Sequence, residues 1–152
     1  MNMTSIRHML WFDTEAEEAE NHYIAVLGNG QITNVSQGPH EGVFTVDFEI
    51  LNHRYIALNG GPKFKHSEAF SIFVECDGQV EVDRYWDAFI AAGGTPSQCG
   101  WLKDKFGVSW QIIPRQLGIC LSNPDPEKAS QAVNAMLGMQ KIIVADLEAA
   151  VA

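Results

Sequence analysis

One order of predicted elements occurs twice along the 152 residues, and this repeat constrains the fold more than any other feature of the chain. In the first half, the largely apolar run over residues 6–12 predicts a strand, and apolar side chains at helical spacing predict a helix over residues 14–27. Three β-rich stretches separated by turn residues follow at residues 31–36, 43–50 and 55–59. The predicted order is βαβββ.

The second half repeats that order. Residues 70–75 predict a strand, residues 79–92 a helix that ends at two glycines, and residues 95–113 a set of short strands. At one constant offset, the matched positions are Glu18 with Glu81, Ala19 with Val82, Tyr23 with Trp86, and Gly30 with Gly93. The repeat predicts an α+β protein built from two βαβββ modules.

The predicted organisation is a single domain of two modules, residues 1–61 and 68–115, with C-terminal helices over residues 124–150. A linker over residues 62–67 joins the modules. The C-terminal helices carry apolar side chains that need cover, from a groove of the same chain or from a partner subunit: Val133, Met136, Leu137, Ile142, Ile143 and Leu147. On this basis we expect a homodimer.

Charge and cysteine content narrow the function classes. Ten basic against nineteen acidic residues give a net charge of −9, which opposes binding to nucleic acid or to an anionic membrane. No apolar run approaches the roughly 20 residues of a membrane span, and we expect no leader segment. Cys76, Cys99 and Cys120 form no closely spaced pair, and Cys99 is expected to be a small buried thiol. These features favour a cytoplasmic protein.

A predicted hairpin over residues 98–114 is the strongest candidate for a site. Apolar and polar residues alternate on both sides of a turn near Asp104 and Gly107, which is typical of a hairpin with one shaped, partly polar face. If the register permits, four side chains share that face: Trp101, Lys103, Ser109 and Gln111. The alternative is a packed hairpin in which the tryptophans belong to the core.

Several short sequence motifs together form a pattern that is typical of one family. They are LWFD at residues 10–13, EEA at 17–19, NGGP at 59–62, EVDRYW at 81–86, the hairpin over 99–114, and tail residues 128–129, 135–137 and 141–142. In these motifs and in its duplicated βαβββ unit, the chain closely resembles the PhnB-like branch of the vicinal oxygen chelate superfamily. The resemblance implies two modules whose curved sheets enclose a cavity, in many members with a divalent metal held by His, Glu or Gln.

The resemblance also implies where metal ligands would lie. They fall near Arg7 or His8 on the first strand, near Tyr55 on the fourth, at residues 69–71 on the fifth, and at Gln111 on the eighth. His8 and Gln111 could ligate a metal, and Glu75 could join them if the fifth strand is shifted. A catalytic site usually offers three or more protein ligands. We therefore predict no cofactor and no complete metal site, with a divalent metal on His8, Glu75 and Gln111 as the alternative.

Two function classes follow. The first is a module that binds a small molecule in an aromatic cavity, lined by Trp11, Tyr55, Phe73 and Trp101, with Asn59, Ser71 and Gln111 as polar anchors. The second is a metal-dependent lyase, isomerase or dioxygenase of the glyoxalase type. The missing ligands favour the first class, and no catalytic residue is assigned.

Members of the resembled family are labelled 3-demethylubiquinone 3-methyltransferase-like, but the sequence does not support methyl transfer. A methyltransferase that uses S-adenosylmethionine generally needs a glycine-rich turn between a strand and a helix. The Gly28-Asn29-Gly30 turn follows a predicted helix, and Asn59-Gly60-Gly61-Pro62 leads into the linker.

Acidic residues are dense at the start of the first helix, at Glu15, Glu17, Glu18 and Glu20. Carboxylates in the first turns of a helix interact favourably with its dipole and are ordinarily solvated. We expect all four to face water.

Overall fold

The computed structural model describes residues 2–152, which divide into two compact units, residues 2–66 and 67–152. The first unit contains β1 (His8–Phe12), α1 (Ala16–Leu27), β2 (Gly30–Gln37), β3 (Val43–Ile50) and β4 (His53–Asn59). The second contains β5 (Ser71–Cys76), α2 (Gln79–Ala91), β6 (Thr95–Pro96), β7 (Trp101–Lys103), β8 (Ser109–Pro114), α3 (Arg115–Leu121), α4 (Pro126–Leu137) and α5 (Val144–Ala150). The duplicated βαβββ order is confirmed.

The first unit is a four-stranded mixed sheet in the order β1-β4-β3-β2, with β1 parallel to β4 and the other pairs antiparallel. Helix α1 packs on one face, where Tyr23 lies against Phe48. The helix ends at Gly28, whose φ of 70° is a left-handed conformation that suits glycine, and whose N–H donates to Ile24 O. Among residues 2–66, no helix lies on the other face of this sheet.

The second unit repeats this arrangement in the order β5-β8-β7-β6. Helix α2 covers one face, and its Phe89 ring lies 4.7 Å from the fully buried ring of Trp110. Both sheets are open rather than closed into a barrel, and each module pairs its first strand in parallel with its last. This is the α+β architecture predicted from the repeat.

The C-terminal helices build a second core in the second unit. Its buried members are Ile113, Leu117, Cys120, Ala132, Met139, Ile142 and Leu147. The chain itself thus covers part of the apolar helix surface, while Leu137 remains 58% exposed and Val133 and Ile143 are also exposed. Helix α3, which follows β8 directly, was not predicted from the sequence.

A membrane-spanning helix would need a long, apolar stretch. Among residues 2–152, no helix has both the length and the hydropathy that crossing a bilayer requires.

Candidate functional site

The β7–β8 hairpin has the register that brings its polar and aromatic side chains to one face. Trp101 lies opposite Gln111, and Lys103 lies opposite Ser109. Residues directly opposite in an antiparallel pair point to the same side of the sheet. Trp110 is on the other side, fully buried beneath α2. The two tryptophans of the hairpin therefore have different roles, one in the core and one on the open face.

A pocket of about 350 Å³ lies on the open face of the second sheet. Phe73 and Trp101 supply aromatic surface, and apolar residues of β8, α3 and α4 supply the rest. The lining consists of Phe73, Glu75, Cys99, Trp101, Gln111, Ile113, Pro114, Arg115, Leu117, Gly118, Leu121 and Met136. Cys99, which we expected to be buried, is half-buried here. The sequence pattern did not find the contribution of α3.

Few polar groups face this pocket, and most of them have partners. Gln111 Nε2 donates to Ser71 Oγ at 3.0 Å, since β5 and β8 are neighbours. Arg115 Nε lies 3.5 Å from Glu75 Oε1. Beyond the pocket lining, Lys103 Nζ lies 2.6 Å from Glu68 Oε1 and lowers the pKa of that carboxyl, first through this hydrogen bond. The site is an apolar cavity with a small number of placed polar groups.

Asp104 builds the turn that holds the hairpin in this register, and it is only 4% exposed. Its Oδ1 accepts from the N–H groups of Phe106 at 2.8 Å and Val108 at 3.1 Å, and its Oδ2 accepts from Trp110 Nε1 at 2.9 Å. Gly107 completes the turn at a φ of 90°, which favours glycine. The sequence marked this turn but not the buried carboxylate that organises it.

The sequence profile of the 3-demethylubiquinone-9 3-methyltransferase family matches residues 4–113, most of the chain. The chain belongs to this PhnB-like family. The resemblance inferred from the sequence is confirmed. A comparison with curated proteins gave no match.

Solved structures of similar fold include members of this family and of its superfamily. The PhnB protein from Bacillus cereus is 26% identical, with a TM-score of 0.66 over 73% of this chain and 99% of that chain. Protein PA1353 from Pseudomonas aeruginosa is 21% identical, with a TM-score of 0.59 over 70% and 94% of the two chains. FosX from Listeria monocytogenes, whose structure holds Mn(II) and sulfate, is 12% identical with a TM-score of 0.54 over 72% and 88%. These likenesses confirm the vicinal oxygen chelate fold.

The predicted ligand-binding residues divide between the two units. In the second unit, Ser71 and Gln111 hydrogen-bond on the open face, and Phe73, Trp101 and Gln111 line the pocket. Trp11, Tyr55 and Asn59 belong to the first unit. That these residues bind a ligand stays a prediction.

Within the first unit, the three residues lie in different environments. Trp11 Nε1 donates to Gly61 O at 2.8 Å. Tyr55 is buried on the helix side and stacks on Phe48. Asn59 uses both ends of its amide, because Oδ1 accepts from Ala16 N and Nδ2 donates to Val43 O. Its carboxamide thus joins the start of α1 to two strands, a role that the sequence reasoning did not foresee.

Asn59 also borders a second cavity, of about 740 Å³, within the first unit. This cavity lies where β4 ends and α1 begins, under the β2–β3 loop, and Gly60 and Gly61 form part of its wall. A Cβ at Gly60 would clash with the Trp11 ring, so only glycine fits at this position.

The donor groups of the metal alternative divide between the two units, with His8 in the first and Glu75 and Gln111 in the second. His8 packs its ring 5.9 Å from that of Tyr55, so it lies on the helix side of the first sheet. Glu75 and Gln111 share the open face of the second sheet, but Glu75 pairs with Arg115. Within residues 2–152, no group of three His, Cys, Asp or Glu side chains is placed to hold a metal ion.

Glu20 departs from the expectation that the acidic cluster is solvated. Glu17 and Glu18 are exposed, but Glu20 is 0% exposed on the sheet side of α1, between Ala16 and Tyr23. Neither carboxylate oxygen has a hydrogen-bond partner among the described residues. Burial, and secondarily the charge of Glu17, raises the pKa of Glu20 to about 7.

Proposed function

We propose that this protein binds a small, partly apolar molecule in the pocket on the open face of the second sheet. The observation that carries the proposal is Phe73, an aromatic residue in the middle of β5 that is 55% exposed. Trp101 lies on the same face, two strands away. Exposed aromatic surface in a concave, mostly apolar site is typical of ligand pockets.

The apolar wall of the pocket supports the same function. Ile113 and Leu117 are buried in the C-terminal core and also line the pocket, so this wall is held by packing. A ligand placed against it would remove both its own apolar surface and that of Phe73 from water, which is favourable by about 25 cal/mol per Å². The polar groups of Gln111 and Arg115 would fix its orientation.

Binding is favoured over the two catalytic alternatives. Methyl transfer from S-adenosylmethionine lacks support because no turn with several glycines joins a strand to a helix in the described residues. Gly28 follows α1, Gly61 precedes the segment leading to β5, and the Asp77-Gly78 turn between β5 and α2 has a single glycine. For a glyoxalase-type reaction, the pocket-lining residues with metal-binding side chains are Glu75, Cys99 and Gln111, and within residues 2–152 no group of three His, Cys, Asp or Glu side chains is placed to hold a metal ion. The proposed activity is therefore recognition of a small molecule.

Gly118→Leu tests the pocket, because this glycine lines it and a Cβ at this position meets no atom within 4 Å. The leucine side chain would occupy the pocket while improving the helix propensity of α3. Using 2-naphthamide as an apolar probe in calorimetric titration, we expect binding to weaken by at least about 10-fold with no loss of thermal stability.

The matched control is Gly138→Leu, at an exposed glycine of right-handed conformation that does not line the pocket. It should bind the probe like the wild type. Equal binding by wild type and Gly118→Leu would contradict the proposal. The same titration in EDTA should give an unchanged affinity, because the prediction is that no divalent metal takes part.

We also propose that the protein forms a homodimer and binds neither nucleic acid nor membrane. The exposed apolar side chains of Val133, Leu137 and Ile143 support association, and the net charge of −9 opposes anionic partners. Light scattering at micromolar concentration is expected to give twice the 16.8 kDa mass of one chain. A mass near 16.8 kDa would contradict the dimer.

A further inference from the structure

The charged groups of the pocket suggest which class of molecule it takes, an inference that rests on the proposed function of this site. Of the residues that line the pocket, Glu75 and Arg115 alone carry a full charge. They meet because Glu75 pairs in the sheet with Ile113, and Arg115 follows two residues later as the first residue of α3. One cation and one anion thus stand side by side at the apolar cavity.

The geometry of this pair leaves one carboxylate-binding edge of the arginine unused, the edge formed by its two Nη atoms. Glu75 Oε1 lies 3.5 Å from Nε, the inner nitrogen of the guanidinium. Within residues 2–152, Arg115 has no other hydrogen bond or ion pair. The two Nη atoms, which form the fork that matches a carboxylate, therefore remain available. The Glu75 contact orients the fork without occupying it.

The exposed ion pair with Glu75 would not prevent an anion from binding. Both side chains are about 60% exposed, and ion pairs at such exposure contribute little free energy. A carboxylate bound to the two Nη atoms would lie on the far side of the guanidinium from Nε. Glu75 approaches on the Nε side. The pocket wall beside the arginine is apolar, formed in part by Leu117 and Leu121. Hydrogen bonds between charged groups are stronger next to such a wall than in open water.

We propose that the pocket takes a ligand with an apolar, ring-sized body and a single carboxylate, and that Arg115 anchors the carboxylate through its two Nη atoms. The ring-sized body lies against Phe73 and Trp101. Gln111, whose Nε2 is held by Ser71 Oγ, offers its Oε1 to a donor on the ligand. Arg115 is thus the residue that determines specificity for an anion.

Matched probes distinguish the contribution of Arg115 to affinity from that of the apolar pocket. At neutral pH, 2-naphthoate carries a carboxylate, 2-naphthamide is its neutral counterpart, and 2-naphthylmethylamine is a cationic counterpart. In calorimetric titrations we expect the wild type to bind naphthoate about 10-fold more tightly than naphthamide. Arg115→Gln should reduce that ratio to near one and leave the affinity for naphthamide unchanged. Arg115→Lys should give an intermediate ratio, because it keeps the charge but loses the fork.

Arg84→Gln is the matched control, since it removes one positive charge of the second unit at α2, away from the pocket lining. It should keep the wild-type ratio. A ratio of one in the wild type, a ratio unchanged in Arg115→Gln, or preference for the cationic probe would overturn the anion anchor while pocket binding stands. If neither naphthoate nor naphthamide binds, or if both bind Gly118→Leu as they bind the wild type, the proposed function and this inference both fail.

Discussion

Asp104→Ala is expected to destabilise the protein by about 4 kcal/mol, the largest loss predicted for a single side chain here. The substitution leaves three donors without an acceptor: the N–H groups of Phe106 and Val108 and the indole of Trp110. Trp110 is fully buried, and hydrogen bonds to a charged acceptor contribute more than neutral ones. Urea unfolding followed by circular dichroism measures the effect.

Two variants test whether the effect comes from the hydrogen bonds. Asp104→Asn keeps the shape but turns an amide donor toward one of the donors, so about 2 kcal/mol should be lost. Asp125→Ala is the same substitution at an exposed helix cap that accepts from Glu127 N, and it should cost about 1 kcal/mol. If Asp104→Ala costs no more than Asp125→Ala, the turn does not depend on this carboxylate.

The elements that sequence reasoning predicted best are those with strong periodicity. The helices expected over residues 14–27 and 79–92 are α1 (Ala16–Leu27) and α2 (Gln79–Ala91). Helix α3 was missed because seven residues with a central Gly118 are too short to show a helical pattern. Pro114 was interpreted as the end of a strand, and it does end β8, but it is also the N-cap of α3, which the sequence did not reveal.

The side of the sheet on which each residue lies was predicted correctly where polar and apolar residues alternate, and it was not predicted where they do not alternate. Around Gln111, alternation gave the open face of β8 correctly. On β1 the consecutive apolar residues 9–12 hide which side each faces, and a shift of one residue exchanges the sides. The buried partners Leu10 and Phe12 place His8 on the helix side. Arg115 was missed because its place in the pocket depends on α3.

Glu20 shows the limit of pattern reasoning most clearly, since an acidic residue in a first turn is ordinarily solvated. Here Glu20 lies on the sheet side of α1, on the same helix face as Ala16 one turn before it and Tyr23 one turn after it. A buried carboxylate without hydrogen bonds prefers its protonated form, and the pKa of Glu20 is about 7, against an ordinary 4.5. The group should therefore make stability depend on pH.

Glu20→Gln is expected to raise the free energy of unfolding by about 3 kcal/mol at about pH 8 and to leave it nearly unchanged at about pH 4. Below pH 4.5 the carboxyl is protonated in both states; between pH 4.5 and about 7 the unfolded chain alone loses the proton, so stability falls as pH rises. Urea unfolding at both pH values measures this. Glu17→Gln, at an exposed neighbour, should add only a few tenths of a kcal/mol, by lowering the pKa of Glu20. An equal gain from Glu20→Gln at both pH values would show that the carboxylate is not held protonated by burial.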